Sequence, residues 1–193
     1  MATVGLELWL MRHGETAWSL SGQHTSRTDI PLTDRGKGRA EKIREYLRGK
    51  SFSLVLCSPM QRAIETCRIA GFGDQAQIDD DLKEWDYGAY EGRTTKDIEK
   101  EIPDWSVWTS PIIGGESIDQ VAQRANRVIA RAEAKGGSVA LFAHGHILRI
   151  LAACWIQSPP VMGSRLALGT GTVSTLGFEH TTRVITMWNR TLD

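Results

Sequence analysis

Apolar residues along this chain come in short runs and in helical stripes. Residues 6–11, LELWLM, form a short and mostly apolar run that predicts a buried strand. Residues 22–31 read as a polar loop. LTDRGKGRAEKIREYLRG, residues 32–49, predicts a helix with Thr33 as N-cap, Asp34 in the first turn and Gly49 as the stop. Gly36 and Gly38 inside it work against helix formation. FSLVLC, residues 52–57, is a second strand; Ser58 as cap and Pro59 at the first helical position then predict a helix over 59–70. A short strand is expected at 77–79, and an irregular stretch over 80–115 with a short helix at 95–101. SIDQVAQRANRVIARAEAKGG is the clearest helix, with a Ser117/Gln120 capping box and a Lys135-Gly136 stop. SVALFA, 138–143, is a strand; HILRILAACWIQ, 146–157, is a buried helix ended by Pro159-Pro160; and strands at 172–179 and 183–188 close the chain as a hairpin.

Strands alternating with helices predict an α/β fold: three layers, a mainly parallel sheet made mixed by the terminal hairpin, and helices on both faces. At 193 residues we expect one domain, 1–193, with a cap-like segment at about 80–115. Hydrophobic residues at 41% and charged residues at 24% fit an ordinary globular chain. Lys+Arg and Asp+Glu both number 23, so the balance argues against a nucleic-acid binder or an anionic-membrane binder, and any anion site must be local. Cys57, Cys67 and Cys154 lie in apolar or helical contexts without metal-ligand spacing, which suggests buried free thiols in a reducing compartment. Neither a signal peptide nor a membrane span is recognisable, so a cytoplasmic location is expected.

The unusual side chains collect at one edge of this scaffold. Arg12 and His13 follow the first strand, Arg62 opens the helix after the second, Glu84 follows the third, and AHGH, residues 143–146, follows the next parallel strand. In open α/β sheets ligands bind beyond the carboxyl ends of strands, where helices also offer free N–H groups to anions. Two guanidiniums and two imidazoles gathered there would repel one another unless an anion joined them. Phosphate fits best, because arginine forks match its oxygens in pairs.

LMRHGETAW, CSPMQRAIET, LKEWDYGAYEG, GGES and FAHGHILRI occur in that order and together resemble the motifs of the histidine phosphatase superfamily, in its phosphoglycerate-mutase-like branch. The resemblance implies that His13 is the nucleophile, that Arg12, Arg62 and His144 bind the phosphoryl group, and that Glu84 donates the proton. It also places Ser19, Gln23, Thr25, Ser26, Gly145 and His146 among the phosphate- or substrate-binding positions, with serine at 19 and 26 where many members have asparagine and glycine. A neutral imidazole is a good nucleophile when its other nitrogen donates to a fixed acceptor, such as a backbone carbonyl. Glu84 would need a raised pKa, which Trp85 and the neighbouring Asp79, Asp80, Asp81 and Asp86 are expected to supply by desolvation and like charge.

The segment EGRTTKDIEKEIPDWSVWTSPIIGGES is short and carries acids and tryptophans, with Arg93, Lys96 and Lys100 as its cations. The acid loop EWDYGAYEG is closer to phosphatase members, WSLSGQHT with AHGHILRILAACW most resembles the sedoheptulose-bisphosphatase-like and broad-specificity phosphatases, and His146 stands where cofactor-dependent mutases often have asparagine. The expectation is a phosphomonoesterase for small phosphorylated metabolites such as sugar phosphates, using neither metal nor cofactor. A mutase, a metallohydrolase built on His144 and His146, and a non-catalytic phosphate-binding regulatory module are the alternatives. Trp85, Tyr87, Tyr90, Trp105 and Trp108 are candidates for an aromatic wall over the pocket, Trp105 and Trp108 foremost. The expected partner is a small phosphomonoester rather than nucleic acid or membrane; a homodimer is left open.

Overall fold

A computed structural model describes residues 5–192, so the outermost ends of the expected domain, 1–4 and 193, lie outside it. Six strands form one sheet in the order β3-β2-β4-β1-β5-β6. They are β1 Glu7–Arg12, β2 Leu54–Cys57, β3 Ala76–Ile78, β4 Ser138–Ala143, β5 Val173–Glu179 and β6 Thr182–Arg190. β1 to β4 pair in parallel, while β5 runs antiparallel to β1 and to β6, which makes the sheet mixed as expected.

Alternation along the strands sorts the core into two layers. Leu8 and Leu10 of β1 face the apolar stripes of α5 (Ile118–Lys135) and α6 (Gly145–Trp155). Trp9 and Met11 face α2 (Asp34–Tyr46) and α3 (Gln61–Ile69) through Ile43, Ala63 and Cys67. Two five-residue helices complete the set, α1 (Ala17–Ser21) and α4 (Thr95–Glu99). The Ser117/Gln120 capping box and the Thr33 cap are both formed.

The glycines of α2 have a tertiary reason in one case. A Cβ on Gly36 would run into the backbone of Glu15, and one on Gly14 into Gly36, so α2 docks directly on the loop that carries His13. Gly38 meets nothing.

Several boundaries differ from expectation. α3 starts at Gln61 with Met60 as N-cap; the Ser58 hydroxyl lies 2.7 Å from Nε2 of His144 and accepts the Met60 N–H at 3.4 Å. Asp79 lies outside β3 and caps the 3-10 turn Asp80–Leu82 instead. α4 is shorter than expected, and Pro160–Arg165 forms a 3-10 turn after α6. α1, closed by a Thr16/Ser19 capping box, was not expected.

Candidate active site

β1 ends at Arg12, and the chain crosses the sheet edge at His13 and Gly14. The Gly14 N–H donates to Thr66 Oγ1 at 3.0 Å, and that hydroxyl donates to Arg62 O at 2.7 Å, tying this loop to α3. His13 is buried, with Nδ1 2.7 Å from the Gly14 carbonyl oxygen. A carbonyl only accepts, so Nδ1 carries the proton and Nε2 keeps its lone pair. Burial, followed by the charges of Arg12 and Arg62, pushes the His13 pKa down to about 3.

The His144 ring lies 5.1 Å from that of His13, centroid to centroid. Its Nδ1 accepts from Arg62 Nε at 3.2 Å while Nε2 meets Ser58. Burial, then Arg62, holds His144 well below the usual histidine range. Arg62 is fully buried, and its remaining donors go to the carbonyls of Thr28 (3.1 Å), Thr25 (3.4 Å) and Ser26 (3.2 Å).

A cavity of about 170 Å³ opens over His13. Arg12, Glu84, Tyr87, His146 and the loop residues Ser19, Gln23, His24 and Thr25 line it. Arg62 and His144 are not among the residues that line it, although the His144 ring packs on that of His13 and the Arg62 charge bears on His13. Ser26 also turns away, its hydroxyl donating to Glu84 O at 3.3 Å and its N–H to the Glu91 carboxylate at 2.9 Å. Gly145 packs on the Arg12 guanidinium, where a Cβ would lie 3.2 Å from Cζ. Arg12 donates to Leu168 O, and its buried Nε has no partner among the described residues. The Ser19 hydroxyl donates to Thr16 O at 2.9 Å, and Gln23 Nε2 to Gly92 O at 2.7 Å.

Glu84 behaves differently from expectation. Its carboxylate accepts backbone N–H groups from Trp85, His146 and Ile147, each at 2.9 Å, so it sits at the N-terminus of α6. Burial alone would raise its pKa, but the contacts with His146 outweigh this and hold the carboxyl well below the usual range. The neighbouring aspartates do not raise it, because each is matched by a cation: Asp79 and Asp81 by Arg131, Asp81 also by Arg127, Asp86 by Arg27 and Asp80 by Lys83.

Two contributors escaped the sequence reading. His24 lines the cavity between Tyr87 and Trp105, with ring centroids 4.8 and 5.3 Å away, and burial followed by His146 lowers its pKa to about 4. Only its place between Gln23 and Thr25 hinted at it. Glu91 receives the N–H groups of Ser26 and Thr28 and so shapes the loop from the far side; no local pattern marks it. Trp105 and Trp108 stand in the row behind, against His24 and His146 respectively, and do not face the cavity. A larger groove of about 610 Å³ lies near the amino ends of β2 and β3, between the C-terminal ends of α2 and α3, and holds none of the motif residues.

A neutral imidazole with a free lone pair, a guanidinium and a carboxylate around one small cavity define a protein built for phosphoryl chemistry. Residues 8–191 match the profile of the histidine phosphatase superfamily (branch 1), and the chain belongs to that family. It is 41% identical over 180 residues to an acid phosphatase of Mycobacterium tuberculosis, covering 91% of this chain and 88% of that one. It is 35% identical over 179 residues to the sedoheptulose 1,7-bisphosphatase of Saccharomyces cerevisiae, covering 76% and 66%. The solved structure of an open reading frame product of M. tuberculosis superposes with a TM-score of 0.91 at 38% identity, covering 97% and 98% of the two chains.

Proposed function

We propose that the protein hydrolyses small phosphomonoesters through a phosphohistidine on His13. The observation that carries this reading is the His13 Nδ1 to Gly14 O hydrogen bond of 2.7 Å, which leaves Nε2 as a lone-pair donor beside Arg12 and Glu84. In the first step Nε2 bonds to phosphorus as the ester P–O bond breaks, and the leaving oxygen takes a proton from Glu84. In the second, water oxygen bonds to phosphorus, gives its proton to Glu84, and the P–N bond breaks to release inorganic phosphate. Charge spread over the equatorial oxygens meets Arg12 in the cavity wall, with Arg62 and His144 close to His13. Those guanidiniums supply the fixed positive charge a metal supplies elsewhere, so no metal or other cofactor enters the proposal.

Glu84 is ionised in the free protein, so its proton arrives with the substrate, which binds as the phosphate monoanion. As that proton passes to the carboxylate the phosphate becomes a dianion, whose like charge raises the Glu84 pKa and keeps the proton there for the leaving group. Hydrolysis is favoured over mutation of phosphoglycerates because the cap segment's cations face elsewhere. Arg93 pairs with Glu101 and Lys100 with Asp97, and neither these nor Lys96 lines the cavity. We assign Gln23, Thr25, Ser19 and His146 to the leaving-group side of the cavity, with the small metabolites of the relatives, sugar phosphates among them, as the substrate class.

Rapid acid-free quenching with a radiolabelled phosphomonoester tests this. An acid-labile phosphoprotein should form in the wild type and be absent in His13→Ala, with release of phosphate abolished and unaffected by chelator in the wild type. Steady turnover by His13→Ala would sink the reading.

A further inference from the structure

The GGES motif and Arg124 have no part in the chemistry above, yet they surround Glu84. The Glu116 carboxylate receives Arg124 Nε at 2.7 Å and Nη2 at 2.8 Å, and also the Asp86 N–H at 3.0 Å. Its backbone exchanges again with the same loop: Glu116 O accepts the Trp85 indole N–H at 2.8 Å, and Glu116 N donates to Asp86 O at 3.0 Å. Arg124 Nη1 meanwhile donates to the carbonyls of Asp81 (2.7 Å) and Lys83 (2.9 Å), and Nη2 reaches Glu84 O at 3.5 Å. Gly115 lets this approach happen, since a Cβ there would collide with Asp86 O and lie 2.8 Å from Gly88 N.

Residues 83–87 belong to no helix or strand, so several of their backbone groups are satisfied by side chains, and those side chains help fix where the loop lies. One bidentate pair meets the carbonyls before Glu84 and the N–H after it. Its two side chains are only 13% and 22% exposed, so water competes weakly for the same groups.

We propose that Arg124 and Glu116 are positioning residues for the acid, setting the backbone on both sides of Glu84 so that its carboxylate reaches the cavity over His13. The proposal rests on Glu84 being the proton donor. A misplacement on the order of 1 Å in such a group costs about 10²-fold in rate.

The test is a double-mutant cycle read on two esters, p-nitrophenyl phosphate, whose departure needs little protonation, and propyl phosphate, whose departure needs it. Arg124→Met should lower kcat/KM on propyl phosphate by about 10²-fold and on the nitrophenyl ester by less than about fivefold. Combined with Glu84→Gln, the same change should cost less than about threefold on propyl phosphate, because the group it positions is no longer an acid. Arg124→Lys, which keeps a charge but not the fork, should fall between wild type and Arg124→Met. If Arg124→Met fails to fold, Glu116→Gln enters the same cycle. Equal losses on the two esters, or losses that add in the double variant, overturn the positioning role while leaving the acid in place. Glu84→Gln alone acting equally on both esters overturns the acid role itself, and the proposal with it.

Discussion

Oγ of Ser58 lies 2.7 Å from Nε2 of His144, joining the end of β2 to the start of α6 across the back of the cavity. With Arg62 on the opposite nitrogen, the ring is fixed from both sides. Ser58→Ala removes one of these supports and leaves a buried nitrogen unpaired, at a cost of about 1–3 kcal/mol. We expect a matching loss in thermal stability, and a drop in kcat/KM on any phosphomonoester because the His13 ring packs on this one. A variant as stable and as active as wild type would contradict the role.

Catalysis should peak in acid. His13 is the lower limit, since protonation near pH 3 removes its lone pair. At the upper limit, one proton must be shared between ionised Glu84 and the incoming ester. That requirement fails above the ester's second pKa, at about 6. A profile of kcat/KM against pH should therefore fall above about 6, and the break should shift with the second pKa of the ester used. A flat profile from pH 5 to 8 would rule out the proton count.

Stability should move the other way. His13 and His24 are held at about 3 and about 4, below the ordinary 6.5. Between those values the unfolded chain binds protons that the folded one refuses. The folded state is thus fully favoured above about 6.5 and loses ground as pH falls toward 3 to 4. Depressed Glu84 acts in the same direction at lower pH. At pH 4.5 the cost for His13 is about 3 kcal/mol, so Tm should drop by roughly 5 °C or more between pH 7.5 and 4.5. His24→Phe should lessen that drop in melts followed by circular dichroism.

Gly36→Ala should be damaging despite alanine's better helix propensity. Its Cβ would collide with the Glu15 backbone, so α2 must shift off the His13 loop. Overpacking of this kind costs about 1–3 kcal/mol. Gly38→Ala, which meets nothing, should instead stabilise by about 0.5–1 kcal/mol. Chemical denaturation of the pair tests the sign.

What was legible in the sequence was mostly what is local or periodic. The capping box at Ser117 and the apolar runs placed β1, β4 and α5 within a residue or two, and the motif order placed His13 and Glu84 on one edge. Local rules failed where a distant partner took the side chain. Ser58 looked only like a helix cap, yet its hydroxyl, besides accepting the Met60 N–H, meets His144, 86 residues on. The aspartates near Glu84 looked like a source of like charge until Arg127 and Arg131, both from α5, paired with Asp81. His24 and Glu91 gave no periodic or spacing signal, since each matters through segments more than 60 residues away. α1 is five residues long and carries no apolar stripe to announce it.

The stitching of the 22–31 loop to the stretch around Glu91 has a kinetic consequence. Glu91 holds the N–H groups of Ser26 and Thr28, Gln23 Nε2 reaches Gly92 O, and His24 exchanges backbone hydrogen bonds with Gly92 and Arg93. Both jambs of the doorway are thus one sewn piece, and entry requires no hinge to swing. Thickening the solvent with sucrose should leave kcat unchanged, whereas a kcat falling in inverse proportion to viscosity would mean that a diffusive step, product release or a moving doorway, limits turnover. Such an enzyme sorts its substrates by a standing aperture, not by closing around them.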